Sequence, residues 1–180
     1  MKYVLIFLLK FNNKTILQIS IEKALEITSN VRVVLGYKSD ELIHDIINFP
    51  ISIVVNPNYS EGIGSSISYG IKNIPDNPNN ILITTCDQPL IPTSHYKELF
   101  ISSSQNTNSI ICSKYQNKFS LPSVFPRGYF KILSNLSADN GADKLLDENS
   151  AIFVPLEDEF SIKINTKKDY INLLNKYVKV

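Results

Sequence analysis

A single three-layer α/β domain, with a mostly parallel sheet covered by helices on both faces, is the fold that this 180-residue sequence predicts. Three observations predict it. From the start of the chain to about residue 113, short apolar runs alternate with segments of helical period, the pattern of strands joined by helical crossovers. A Gly/Ser-rich turn, Tyr59-Ser60-Glu61-Gly62-Ile63-Gly64-Ser65-Ser66, runs directly into one of those helical segments. A lone acidic residue, Asp87, stands just past the apolar run Ile81-Leu82-Ile83, at the strand edge where open α/β sheets bind their ligands.

The elements follow in order. Residues 1–10 read as a buried strand: the apolar core is seven residues long, Lys10 closes it, and no small-residue cleavage pattern follows. That is too short to span a bilayer and is unlike a signal peptide. In 15–29, Leu17, Ile21, Ala24, Leu25 and Thr28 fall on one helical face. Residues 31–35 are a strand ended by Gly36. Ser39 is placed as an N-cap, with Asp40 and Glu41 suited to the helix dipole and Leu42, Ile43, Ile46 and Ile47 facing inward until Pro50. A strand at 51–55 leads into the Gly/Ser turn and a helix to about residue 74, and 75–80 are a loop by composition. Strand 81–85, helix 93–103 and strand 109–113 complete the alternation. Beyond it, 115–125 read as a hairpin or extended segment and 128–136 as a helix. The loop 137–141 enters a short helix through 149, followed by short strands at 152–155 and 161–164. The last helix, 166–177, opens with Thr166 and Asp169 at capping-box spacing. No internal repeat or composition shift divides the chain, so residues 1–180 are read as one domain.

Composition narrows the chemistry. The chain is 43% hydrophobic and 19% charged with a net charge of +1, which gives no electrostatic case for nucleic acid or anionic membranes. Only Arg32 and Arg127 are arginine, sparse for a site that clamps phosphates bidentately. Cys86 and Cys112 lack disulfide-type spacing, so free cytosolic thiols are the default, and Cys86 reads as a core-facing residue at a strand end. His44 and His95 share no short motif and read as surface or packing residues.

A glycine-rich turn at a helix start offers backbone N–H groups to anions, although glycines there also simply permit tight packing. Magnesium takes one or two carboxylates together with phosphate oxygens and water, so Asp87 is chemically adequate as an anchor. The bland alternative is an Asp that starts the turn completed by Pro89.

Taken together, Asn56-Pro57, Gly62-Ile63-Gly64-Ser65-Ser66 and Asp87-Gln88-Pro89 resemble the molybdenum cofactor nucleotidyltransferases, the MobA-like NTP transferase family, and within it the cytidylyltransferase branch. Asn13-Lys14-Thr15-Ile16-Leu17, Leu121-Pro122-Ser123-Val124-Phe125, Asp139-Asn140-Gly141-Ala142 and Ile164-Asn165-Thr166 extend the resemblance in order along the chain. It implies a Rossmann-like nucleotidyltransferase fold in the cytoplasm. It also implies transfer of CMP from CTP, ahead of GMP from GTP, to molybdopterin phosphate with release of pyrophosphate. Magnesium would sit at Asp87 and at Asn165, which stands where the family has a second Asp. Gly62, Gly64, Ser65 and Ser66 would meet the nucleoside, and Pro122, Asp139 and Gly141 the acceptor. A molybdoenzyme is the implied protein partner.

The departures are specific. The family opens with a strand and a Gly-rich loop carrying Arg and then Lys, which wraps the triphosphate. Residues 1–11 here contain neither Gly nor Arg, and the position of that Lys falls on Ile6, so the loop is read as truncated or lost and triphosphate binding is expected to be weak. Asp143 stands where the acceptor loop has Arg, with Lys144 beside it. A non-catalytic homologue that binds the cofactor or a molybdoenzyme is therefore the rival reading, and a sugar-nucleotide pyrophosphorylase a third.

Overall fold

The computed structural model describes residues 6–74, 78–146 and 151–177. A small hairpin, β1 (Lys10–Phe11) and β2 (Lys14–Thr15), leads into α1 (Ile16–Leu25), β3 (Arg32–Leu35), α2 (Ser39–Ile46) and β4 (Ser52–Val55). Then come α3 (Ile63–Lys72), β5 (Asn80–Ile83), α4 (Thr93–Gln105), β6 (Ile110–Tyr115), β7 (Lys118–Pro126) and α5 (Phe130–Leu133). The chain closes with β8 (Ala151–Pro155) and α6 (Lys167–Tyr177).

The α/β class holds, and the sheet is mixed. β3 and β4 pair in parallel as a two-stranded sheet, while the other four strands lie in the order β5-β7-β6-β8. In that sheet β7 is antiparallel to both neighbours and β6 and β8 are parallel. The antiparallel strand follows from a tight hairpin: Gln116 and Asn117, both at positive φ (49° and 56°), return β6 directly into β7. Two left-handed residues in succession match the twist of such a two-residue turn.

Helices cover both faces of the four-stranded sheet. Ile110, Cys112 and Phe125 point to one side and pack with Ile67 of α3 and Leu133 of α5. Ile111 and Val124, one residue out of phase, point to the other and pack with Tyr96 and Leu99 of α4. A third cluster joins Leu17 and Ile21 of α1 and Leu42 and Ile46 of α2 to Leu35 of β3. α1 starts with a capping box in which Thr15 Oγ1 accepts from Gln18 N–H and Gln18 Oε1 accepts from Thr15 N–H, both at 3.1 Å. Asp45 fixes that cap to α2 by accepting from Thr15 Oγ1 at 2.7 Å and Gln18 Nε2 at 3.0 Å.

Several expectations are corrected. The described part of the expected first strand is instead a 3-10 turn, Ile6–Leu8, followed by the β1–β2 hairpin with Asn12 and Asn13 at positive φ; residues 1–5 lie outside the described residues. α1 ends at Leu25, leaving Thr28 exposed. Ser39 is the first helical residue of α2 rather than its cap, because left-handed Lys38 occupies the cap position. Ile47 is 63% exposed because α2 stops at Ile46. The strand expected at 161–164 is a 3-10 turn, Asp158–Ser161, and an irregular stretch that nonetheless buries Ile164. The helix expected to run to 149 is a 3-10 turn, Ala142–Leu145, with 147–149 outside the described residues, as are 75–77 of the expected loop. No described helix is long and apolar enough to cross a membrane.

Candidate active site

Asp87 leaves the carboxyl end of β5 in a turn that is tied down from four directions. Thr85 donates its hydroxyl to Asp87 Oδ1 in a short bond. The Asp87 carbonyl accepts from Ile164 N–H at 2.8 Å. Gln88, 3% exposed, donates through Nε2 to Tyr115 Oη at 3.1 Å and to the Ser161 carbonyl at 3.0 Å. Lys23 of α1 donates to the carbonyls of Pro89 and Ile91 at 2.6 and 2.5 Å. Burial pulls the Lys23 ammonium down to about 8. The turn therefore holds one half-buried carboxylate in a fixed position on the ligand edge of the sheet.

The Ile164 bond ties the backbone beside the Asp87 turn to the stretch that continues into exposed Asn165. Asp169 is a cap and not a ligand. Its Oδ2 accepts from Asn165 N–H, Thr166 N–H and Thr166 Oγ1, while Thr166 Oγ1 accepts from Asp169 N–H. These bonds hold its carboxyl below the ordinary value.

The Gly/Ser turn is built around Asn56. Asn56, 1% exposed at the end of β4, donates to Ser65 Oγ at 2.9 Å and Ser66 Oγ at 3.2 Å, and accepts from Asn58 N–H through Oδ1. Ser65 Oγ in turn donates to Asn58 O or Gly62 O. Ser65 is thereby committed to the turn, and Ser66 remains half-buried. Gly62 sits at φ 106°, which only glycine adopts without strain.

Gly62 and Gly64 face the loop that carries Asp139 and Gly141. Gly64 N–H donates to Ala138 O at 2.9 Å. A Cβ on Gly62 would strike Asp139 Oδ1 and the Ala138 carbonyl, and one on Gly64 would strike the carbonyls of Asn140, Ser137 and Ala138. The predicted nucleoside turn and the predicted acceptor loop are thus in direct contact at the start of α3. Lys144, beside the charge-reversed Asp143, is tied back to Asn140 Oδ1. Pro122 is buried within β7, one residue beyond the Ser123–Ile83 pair and so level with the exit of β5; its carbonyl accepts from Ser113 Oγ at 2.7 Å.

The other candidate chemistry is packing. His44 is exposed. His95, 3% exposed, bonds Ser113 Oγ at 2.7 Å through Nε2, and burial lowers its imidazole to about 4. Cys86 packs in the α1–α2–β3 cluster, and burial, reinforced by Asp87, pushes its thiol up to about 12. Asn56 and Gln88 lie within the quoted motifs, which gave them no role of their own, and Lys23 had no signal in the sequence, yet all three carry the site's geometry. Half-exposed Tyr37 and Tyr59, with ring centroids 6.2 Å apart, flank the turn as aromatic surface, and Gly36 is required where it packs flush on Tyr59.

Three solved structures share this architecture. Rv0371c from Mycobacterium tuberculosis H37Rv superposes with a TM-score of 0.83 at 19% identity over 96% of this chain and 90% of that one. The manganese complex of Rv0371c gives 0.80 at 18% identity over 94% and 91%. A nucleotidyl transferase from Methanothermobacter, Mth528, gives 0.79 at 15% identity over 96% and 85%. At these identities the likeness shows the fold. No curated protein sequence matches the chain. The family model of the MobA-like NTP transferase domain matches residues 7–152, spanning β1 through the start of β8 and so the Gly/Ser turn, the Asp87 turn and the 137–141 loop. This chain belongs to the MobA-like NTP transferase domain family.

Proposed function

We propose that the chain is a nucleotidyltransferase of the molybdenum cofactor type, moving CMP from CTP, ahead of GMP from GTP, onto the phosphate of molybdopterin with release of pyrophosphate. One observation carries the reading: the 2.8 Å bond from Ile164 N–H to Asp87 O, which ties the backbone next to Asn165 to the Asp87 turn. A carboxylate and an amide oxygen are hard donors of the kind magnesium takes when phosphate oxygens and water complete its shell. Among the described residues no group of three His, Cys, Asp or Glu side chains could hold a metal, so this donor set fits an ion shared with a nucleotide rather than a resident structural one. That Rv0371c has been solved with manganese supports a divalent ion in this fold. Such an ion would neutralise charge on the nucleotide phosphates.

The chain's own residues do the rest. Thr85, Gln88 and Lys23 fix the Asp87 turn so that its carboxylate need not reorganise when nucleotide arrives. Gly62, Gly64 and Ser66 present the nucleoside turn that Asn56 and Ser65 hold rigid, and Tyr59 offers a stacking face beside it. Asp139 and Gly141 bring the acceptor side against that turn, with Pro122 behind the exit of β5.

A second reading is favoured by a specific observation: Gly64 N–H is already engaged by Ala138 O, and the Ser65 hydroxyl by the turn itself. A homologue that binds cofactor or a molybdoenzyme without transferring anything would tolerate both. Pyrophosphate release, measured with CTP or GTP, with and without molybdopterin and magnesium, separates the two. Release that needs CTP and molybdopterin and vanishes in Asp87→Ala supports transfer. Binding without release supports the non-catalytic reading, and release with a sugar phosphate in place of molybdopterin reassigns the acceptor.

A further inference from the structure

Strand β7 carries a bulge where β5 ends. Its ladder with β6 runs through Ile111–Val124 and Cys112–Ser123 and resumes at Ser113–Ser120, so Leu121 and Pro122 stand outside the register. On its other side the last β5 partner is Ile83, opposite Ser123. The two bulged residues therefore lie just past the exit of β5, where the chain turns through Asp87. Bulges re-aim the chain beside functional sites, and a carbonyl displaced from the ladder needs a new partner.

Buried side chains of β6 supply those partners. Tyr115 donates its hydroxyl to Leu121 O at 3.2 Å, and Ser113 donates to Pro122 O at 2.7 Å. A hydroxyl carries one proton, so each oxygen is left to accept. Tyr115 Oη accepts from Gln88 Nε2 at 3.1 Å. Ser113 Oγ lies 2.7 Å from His95 Nε2, which places the ring proton of His95 on that nitrogen. Both donors belong to the segment that leaves β5: Gln88 follows Asp87 directly, and His95 stands in the first turn of α4. Two buried chains thus run outward from that segment, Gln88 to Tyr115 to Leu121 and His95 to Ser113 to Pro122.

The two chains differ in what they hang from. The Pro122 carbonyl is referred to α4, a packed helix, whereas the Leu121 carbonyl is referred to the Asp87 turn itself. We infer that Tyr115 is a positioning residue, which sets the Leu121–Pro122 bulge by the position of the Asp87 turn, so that a ligand settling on the turn also settles the wall beside it. That role rests on the proposed nucleotidyl transfer for the identity of the ligands, nucleotide at the turn and acceptor at Pro122; the coupling itself rests on the hydrogen bonds. Loss of the phenol hydroxyl falls unevenly. The turn keeps its ties to Lys23, Thr85 and Ile164 and the second Gln88 bond, to Ser161 O, while the Leu121 carbonyl loses the group that holds it.

A mutant cycle read by carbon NMR on the full chain tests the coupling without any ligand. Gln88→Ala is expected to shift the Leu121 carbonyl resonance in the parent and to add nothing in the Tyr115→Phe background. A Leu121 carbonyl that ignores Gln88→Ala, or that responds equally in both backgrounds, overturns the proposal. Should Tyr115→Phe not fold, Gln88→Met is expected to shift the Leu121 carbonyl and leave the Pro122 carbonyl in place; equal shifts of the two would overturn it. Pyrophosphate release with CTP, magnesium and molybdopterin then reads the consequence. Tyr115→Phe is expected to raise KM for the acceptor about 5- to 10-fold, the usual worth of one hydrogen bond, and KM for CTP less than about 2-fold. Equal rises in both constants, the mark of a merely loosened fold, refute the positioning role. Carbonyl coupling in a chain that releases no pyrophosphate supports the relay and refutes nucleotidyl transfer, so the two failures are distinct.

Discussion

Gly64→Ala probes the contact between the nucleoside turn and the acceptor loop. A Cβ at this position would stand 2.6 Å from Asn140 O, 2.8 Å from Ser137 O and 2.9 Å from Ala138 O. Carbon–oxygen contacts settle near 3.3 Å, so the loop must retreat by about 0.4–0.7 Å. These are backbone carbonyls and cannot swing aside as a side chain would. Alanine gains about 1 kcal/mol of helix propensity over glycine. Against that stand about 1–3 kcal/mol of overpacking and about 0.5–1.5 kcal/mol for a weakened Gly64 N–H to Ala138 O bond. The net is a destabilisation of about 0.5–3.5 kcal/mol, or a Tm lower by about 1–14 °C in a chain of this size. Thermal unfolding reads the loss, and amide exchange over 137–141 reads where it falls. Gly128→Ala, where a Cβ meets nothing within 4 Å, is the matched control and is expected to leave Tm unchanged. A Gly64→Ala protein as stable as its parent, with 137–141 equally protected, would refute the idea that the two segments are locked together by glycine.

Other outcomes follow from single groups. Asp87→Ala is expected to abolish the magnesium-dependent part of the CTP thermal shift, while Asn165→Asp strengthens it by restoring a charged ligand; equal shifts in parent and Asp87→Ala would remove Asp87 from the site. His95 has a native pKa lowered to about 4, so its contribution to stability is full above its unfolded value of 6.5 and is lost as pH falls from there through about 4, by up to about 3 kcal/mol. Urea unfolding across that range, with His95→Gln lacking the slope, checks it. Cys86 and Cys112, with thiols raised to about 12 and about 11, are expected to resist alkylation in the native protein at neutral pH and to react on unfolding; rapid native labelling of Cys86 would contradict its placement in the core. Gln88→Ala leaves Tyr115 Oη and Ser161 O without this donor and is expected to cost about 1–3 kcal/mol, measured by denaturant midpoint.

The sequence by itself determined the α/β class, the helices α1 to α4 and α6, and the strands β3 to β6, because each is written in local period, capping residues and breakers. It also pointed to Asp87 and to the Gly/Ser turn, since both are short contiguous motifs at strand-to-turn junctions. The capping role of Asp169 and the inert placement of Cys86 and His95 were legible for the same reason: residue type and spacing decide them. Tertiary structure alone decided the rest. The placement of β7 between β5 and β6 depends on which edge the hairpin finds, which no local pattern encodes. Lys23 reaches the Pro89 carbonyl 66 residues away and Gln88 reaches Ser161 73 residues away, so their roles arise only once the chain has folded back. The same holds for the glycines of the nucleoside turn. Their composition left anion binding and close packing both open; at Gly62 and Gly64 the missing side chain makes room for a loop some 75 residues downstream, and which partner fills that room is a property of two surfaces together.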